Sequence, residues 1–285
     1  MNQRDARRDH TAARRITTKA VILARGLGSR MRRANSDAAL SDEQARAADT
    51  GVKGMIPIGR PFLDYVISAL ADAGITDVCL VIGPEHRDIR DYYTTQVTLS
   101  RVRLHYAVQA VPHGTADAVA AAEDFAAGDT TLVLNSDNYY PAEACRVLAS
   151  LGRSGLVGFD AAALVAQSNI PAERIRAFAL VTADARGYAT AIVEKPDDAT
   201  YARLAPLATV SMNLWSFTPA IFRACRRVTV SARGELELQD AVRIAREELA
   251  EEFTVVPFSG GVLDLSSRSD IPAVARALAG VWPVL

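Results

Sequence analysis

The chain has 285 residues, 49% of them hydrophobic and 23% charged, enough apolar material to bury one large core or two modest ones. A formal net charge of -1 gives no overall attraction for nucleic acid or for an anionic membrane, so any cationic site must be local. No apolar run approaches the ~20 residues of a membrane span, which argues against a membrane partner.

Residues 1–17 carry Arg4, Arg7, Arg8, Arg14 and Arg15 without the apolar centre of a secretory leader, and read as a mobile basic tail. Residues 18–285 read as a single domain. The first strand is expected at Ala20 to Ala24. Between Arg32 and Val52 the polar, alanine-rich sequence lacks a clear period and reads as a long loop or lid (residues 33–52) holding a short helix. Pro61 and Gly74 bracket a helix over Phe62 to Ala73, whose Leu63, Val66, Ile67 and Leu70 recur at three and four. A buried strand follows at Asp77 to Ile82, then a helix opened by Pro84, an alternating strand at Arg101 to Val108 and an alanine-rich helix over Thr115 to Ala127. Thr131 to Leu134 is a further apolar strand that ends at Asn135-Ser136-Asp137.

The second half differs. Phe178 to Thr182 and Ala189 to Glu194 flank the turn Ala185-Arg186-Gly187, and Thr209 to Phe217 forms another strand, so antiparallel additions are expected. Helices near Glu237 to Leu249 and Ile271 to Ala279 enclose a strand at Phe253 to Phe258. The whole predicts an α/β fold, a Rossmann-like three-layer α/β/α arrangement around a mixed, mostly parallel central sheet. Cys79, Cys145 and Cys225 have no metal-type spacing and read as buried, reduced cysteines of a cytoplasmic protein.

Chemistry gathers first at Ala24-Arg25-Gly26-Leu27-Gly28-Ser29-Arg30-Met31. The segment follows a strand, so its glycines let backbone N–H groups approach a pyrophosphate and Arg30 can neutralise it. Met31 breaks the dinucleotide fingerprint, and the lysine-serine ending of a P-loop is absent. Alone, the loop is also compatible with a tight strand-to-helix turn.

Further segments follow in a telling order: Lys53-Gly54-Met55-Ile56-Pro57-Ile58-Gly59-Arg60-Pro61, then Gln109 to Ala118, Asn135-Ser136-Asp137, Glu194-Lys195-Pro196, Ser231 to Leu238 and Val262 to Ser266. Together with the loop, from about Lys19 to Leu278, the chain resembles the sugar-1-phosphate nucleotidylyltransferases. The Ser231 to Leu238 stretch is close to the glucose-1-phosphate thymidylyltransferase branch, whereas Arg25, Ser136, Met212 and Trp215 depart from the family pattern. The resemblance implies a nucleotide site at Leu23, Ala24, Gly26, Gly28, Ser29, Arg30, Gln109, Gly114 and Thr115, with the Gln109 amide free to donate and accept at a base edge. It implies Arg30, Lys53 and Asp137 as catalytic residues, and Glu194, Lys195 and Asn213 at the sugar phosphate. Asp137 and Asp264 would share Mg²⁺, for which hard carboxylates are suited.

The implied reaction transfers a nucleotidyl group from a nucleoside triphosphate, dTTP or UTP favoured, to a sugar-1-phosphate, glucose-1-phosphate favoured, with release of pyrophosphate. A cytidylyl- or guanylyltransferase acting on another phosphorylated sugar or alcohol stays open, as does a nucleotide-sugar sensor that binds without turnover. Association into a homo-oligomer is equally open.

Overall fold

The computed structural model describes residues 16–33 and 38–285. Most of the basic tail, residues 1–15, and residues 34–37 of the expected lid lie outside them. Thr17 is already packed, its N–H donating to Ala149 O at 2.9 Å.

The strands in chain order are β1 (Lys19–Leu23), β2 (Asp77–Ile82), β3 (Arg103–Val108), β4 (Thr131–Asn135), β5 (Asn138–Tyr139), β6 (Gly155–Phe159), β7 (Ala179–Ala183), β8 (Ala189–Val193), β9 (Thr209–Phe217), β10 (Thr254–Phe258) and β11 (Leu263–Asp264). Among the described residues they form a nine-stranded sheet, along which β10, β6, β9, β4, β1, β2 and β3 lie in order. The pairs β4–β1, β1–β2 and β2–β3 are parallel, as is β6–β10, while β9 runs antiparallel to both β4 and β6. The hairpin β7–β8 adds to β9, and β5 pairs with β11 in a separate two-residue ladder.

Central strands show why the sheet is covered on both faces. In β1, Ala20 and Ile22 face one apolar cluster and Val21 the other; in β2, Val78, Leu80 and Ile82 face the first, Cys79 and Val81 the second. Such strands read as continuous apolar runs because neither face meets water. Helices over Phe62–Asp72 and Ala142–Ala149 contribute to the first cluster, and those over Ala220–Cys225 and Leu238–Glu248 to the second. This is the expected three-layer arrangement. All three cysteines are buried and free, and burial pushes each thiol up to about 12. Among the described residues no helix is long and apolar enough to cross a membrane.

Several expectations shift in detail. The helix expected from Pro84 begins at Arg87 and passes into a wider turn over Tyr92–Gln96, because residues 83–86 close a turn in which Gly83 N–H donates to His86 Nδ1 at 3.2 Å. The alanine-rich helix divides into Thr115–Ala120 and Glu123–Ala126. Within residues 33–52 the short helix spans Asp42–Thr50, capped reciprocally by Ser41 and Gln44. It is tied down: Arg32 donates to Thr50 O at 2.8 Å, Arg268 bridges Met31 O and Asp49, and Gln44 donates to Pro57 O at 3.0 Å.

Candidate active site

The carboxyl ends of β1, β2, β3 and β4 stand side by side, held by Ala24 N–H to Val81 O (2.9 Å), Gln109 N–H to Ile82 O (2.9 Å) and Ser136 N–H to Leu23 O (3.2 Å). Ligands of open α/β sheets collect beyond this edge, because the strands stop there and the loops diverge. A cleft opens there, and it brings together Leu23, Ala24, Gly26, Lys53, Gln109 and Asp137. Gly114 and Thr115 line it as well, together with Arg25, Pro112, Ser136 and Glu235.

Gly28, Ser29 and Arg30 do not line this cleft. Gly28, at φ +60°, lies under Gly51, where a β-carbon would come within 2.1 Å of Gly51 O. The second half of the loop is therefore fitted to the helix over Asp42–Thr50, and Arg30 projects into solvent from a single turn at Ser29–Arg32.

Lys53 sits in a turn of 3₁₀ helix, and its Nζ reaches Asp137 Oδ2 at 2.7 Å. Asp137 follows β4, and its carbonyl accepts from Leu265 N–H at 2.8 Å, which places Asp264 across the β5–β11 ladder from Asn138. Two aspartates 127 positions apart in number are thus neighbours. Burial raises the Asp264 carboxyl above its ordinary value, and the charge of Asp137 raises it further. Arg174 Nη2 lies 2.6 Å from Asp264 Oδ1 as an ion pair. Among the described residues no cluster of three or more histidine, cysteine or acidic side chains is assembled that could hold a metal by itself. The pair supplies hard carboxylate oxygens of the kind a divalent cation takes together with water and phosphate oxygens, although in this arrangement each faces a cation of the protein's own, Lys53 for Asp137 and Arg174 for Asp264.

Gln109 is committed more narrowly than its sequence suggests. Its Nε2 donates to Gly114 O at 2.9 Å and Asp117 Oδ2 at 2.8 Å, both pure acceptors, so the amide turns only its oxygen to a ligand. Gly114 (φ +127°) presses against Leu236, whose N–H donates to His113 O at 2.7 Å and whose carbonyl accepts from Ala116 N–H at 2.9 Å; a β-carbon would meet Leu236 O at 2.4 Å. The Ser231 to Leu238 stretch thereby forms a wall of the cleft and carries Glu235 into it. Thr115 accepts from Leu238 N–H at 2.9 Å.

A narrow recess of about 40 Å³ continues the cleft past Leu23, Thr115 and Asn135 to Asn213, Trp215 and Gln239. Asn213 adopts φ +58° inside β9, where the pairing with β6 slips between Leu156 and Gly158. That irregularity is what turns a mid-strand residue into a wall of the recess. Trp215 is 1% exposed and its indole N–H has no hydrogen-bond partner among the described residues. Glu194 and Lys195 follow β8 outside the main cleft and are exposed as whole residues, although the Glu194 carboxyl itself is tucked against Gln239 and Glu237. Desolvation raises the Glu194 carboxyl above its usual value, with a bond to Gln239 lowering it and Glu237 raising it again.

Nothing in the sequence assigns a role to Arg174, Glu235, Gln239 or Asn135, and it leaves Arg25 open between a cation in the nucleotide pocket and a side chain that points away from it; Arg25 lines the cleft. Arg174 lies in a segment without a motif, and nothing in its sequence neighbourhood points to Asp264. Glu235 lay within a stretch that resemblance marked but gave no role.

The comparisons agree with this architecture. Residues 19–258 match the family model described as nucleotidyl transferase. The chain is 32% identical over 225 residues to the UTP--glucose-1-phosphate uridylyltransferase AglF of Haloferax volcanii, covering 79% of this chain and 82% of that one. It is 29% identical over 231 residues to the low-salt glycan biosynthesis nucleotidyltransferase Agl11 of the same organism, covering 81% of this chain but 57% of that protein. Against the glucose-1-phosphate thymidylyltransferase of Streptomyces griseus it is 28% identical, covering 79% of this chain and 56% of the relative. A crystal structure of UDP-glucose pyrophosphorylase complexed with UDP-glucose shares the fold, with a TM-score of 0.71 at 18% identity over 92% of this chain and 98% of that one. The chain belongs to the nucleotidyl transferase family.

Proposed function

We propose that the protein transfers a nucleotidyl group from a nucleoside triphosphate to a sugar-1-phosphate, forming a nucleotide sugar and pyrophosphate. The observation that supports this reading is the meeting of Lys53 and Asp137 in a cleft also lined by Gln109 and Gly114, with Asp264, which does not itself line the cleft, set across the β5–β11 ladder from the residue after Asp137. The names of the relatives favour UTP or dTTP with glucose-1-phosphate.

The attacking sugar phosphate oxygen is already an anion, so no general base is required and catalysis rests on positioning and charge neutralisation. The base lies against Gln109 and Gly114, the triphosphate crosses Ala24 and Gly26, and the α-phosphate comes to rest near Asp137. Mg²⁺, held by Asp137 and Asp264, would neutralise charge on the phosphate at the reacting centre. Lys53 leaves Asp137 for a phosphate oxygen. Arg30 joins from the short helix beside the loop, and Gly28 and Ser29 shape the turn that carries it. The sugar occupies the recess, with the Asn213 amide and the Trp215 N–H offered to its hydroxyls, and Glu194 and Lys195 at its rim. Residues 18–285 act as one domain in this reading, in a chain that works in the cytoplasm.

The test is release of pyrophosphate from each of UTP, dTTP, CTP, GTP and ATP paired with a panel of sugar-1-phosphates. Release with at least one pairing supports the proposal, and none with any pairing would sink it.

A further inference from the structure

Arg25 stands first after Ala24 at the end of β1, in a position that brings a cation into the wall of the cleft. It is 9% exposed and lines the cleft together with Gln109 and Gly114. Glu85 is its ionic partner, at 3.3 Å from Nε and from Nη2 to Oε1 and 3.4 Å from Nη2 to Oε2. These bonds are long for a charge-assisted pair, which settles near 2.7–2.9 Å, and the Glu85 side chain is 52% exposed. Nη1 is buried and has no hydrogen-bond partner among the described residues. An arginine held this way is under-used by the protein itself, because a buried donor left unpaired is costly and a ligand acceptor relieves it.

The order of the strand ends says which part of a ligand Arg25 meets. Along the edge run β3, β2, β1 and β4, carrying Gln109, Glu85, Arg25 and Asp137 in turn. Lys53 and Asp137 gather at the β4 side. Arg25 leans the other way, to Glu85 in the loop after β2, the strand that stands between β1 and the β3 strand ending at Gln109. That is the side of the strand edge away from Lys53 and Asp137.

We infer that Arg25 is a base-reading residue: its guanidinium donates to a carbonyl oxygen of the nucleobase while the Gln109 oxygen accepts the ring N–H beside that carbonyl. This rests on the nucleotidyl-transfer reading and names the class of base it uses. Arginine offers donors only, and the Gln109 amide has both its hydrogens engaged by Gly114 O and Asp117, so it offers an acceptor only. A ring N–H next to a carbonyl occurs on uracil, thymine and guanine. Adenine has no carbonyl. The ring nitrogen beside the carbonyl of cytosine is an acceptor and would set its lone pair against the Gln109 oxygen.

The experiment is calorimetric binding to the full chain with Mg²⁺ present and sugar phosphate absent, using UTP, dTTP, GTP, CTP, ATP and inorganic tripolyphosphate. Wild type, Arg25→Met and Arg25→Lys are compared, with near-ultraviolet circular dichroism as a check on folding. Wild type is expected to bind at least one of UTP, dTTP and GTP roughly tenfold or more tighter than CTP and ATP. Arg25→Met should weaken that nucleotide by roughly 10- to 100-fold and leave tripolyphosphate within about twofold, since only the base contact is lost. If Arg25→Met does not fold, Arg25→Lys, which keeps the cation without the fork, should retain tripolyphosphate binding and lose the discrimination between bases. Equal weakening of tripolyphosphate would assign Arg25 to the phosphates, and unchanged binding of every probe would leave it a structural partner of Glu85; either overturns the inference. Because binding is read without sugar phosphate, a chain that never turns over fails the transferase reading while the contrast between bases is still measured.

Discussion

Lys53 Nζ lies 2.7 Å from Asp137 Oδ2, so a lysine and a carboxylate drawn from segments 84 positions apart neutralise each other at the end of β4. Both side chains are largely shielded, at 16% and 20% exposure, so the pair is more than a surface contact. The same carboxylate is the one assigned to a cation, and the lysine competes for it.

That competition sets opposite signs for binding and turnover. Lys53→Met should raise the affinity for Mg²⁺ alone by roughly threefold or more, because Asp137 is freed, while lowering kcat by more than about tenfold. Calorimetric titration with MgCl₂ and steady-state rates check the two arms. Unchanged or weaker Mg²⁺ binding contradicts the assignment of Asp137 to the cation.

Gly114→Ala forces a β-carbon to within 2.4 Å of Leu236 O at a backbone angle of φ +127°. The wall formed by Leu236 must move, so the variant should lose about 1–3 kcal/mol of stability in urea and raise the KM for the nucleotide more than that for the sugar phosphate. Equal effects on both substrates would place Gly114 outside the nucleotide half.

Asp64 is fully buried and accepts from Tyr93 at 2.7 Å and Tyr92 at 2.9 Å, with Arg60 Nε at 2.7 Å. Removing the carboxylate leaves two tyrosine hydroxyls, that of Tyr93 buried, and a guanidinium without their shared partner. Asp64→Ala should cost about 3 kcal/mol, and Asp64→Asn less, as urea unfolding will show. A neutral result for alanine would mean that the cluster rearranges around the gap.

The Asp77 carboxyl is held down to about 2, chiefly by its bond to Arg103, with Thr76 and His105 adding to it against the effect of burial. Since the folded value lies below the ordinary one of about 4, its contribution is complete above pH ~4 and disappears as pH falls from about 4 to about 2. Asp77→Asn should flatten the acid limb of the urea midpoint in that window. Identical limbs in both proteins would assign the acid sensitivity to other groups.

Much of this architecture was legible because its strands are apolar on both faces. β2 and β9 appear with the bounds that their composition suggests, and the turn at Ala185-Arg186-Gly187 does join β7 to β8. β6 was not legible: Gly155 and Gly158 dilute its β-forming character in a run of only five residues, so the turn residues Gly152 and Ser154 before it and Asp160 after it read as part of one loop. The β5–β11 ladder has two residues on each side, too few for any period, yet it is what sets Asp264 beside Asp137. The link between Arg174 and Asp264 depends on tertiary approach across 90 positions of numbering and leaves no local trace. For Gln109 the residue was legible and its available half was not, because that depends on Asp117 and Gly114 taking both amide hydrogens.

The most direct test of nucleotidyl transfer follows phosphorus itself, by ³¹P NMR of the protein with Mg²⁺, glucose-1-phosphate and UTP or dTTP. The account expects the phosphomonoester and triphosphate signals to fall together, with a nucleotide-sugar diphosphate and free pyrophosphate rising in equal amounts. Spectra that stay unchanged in both mixtures, or that gain only orthophosphate, would contradict it.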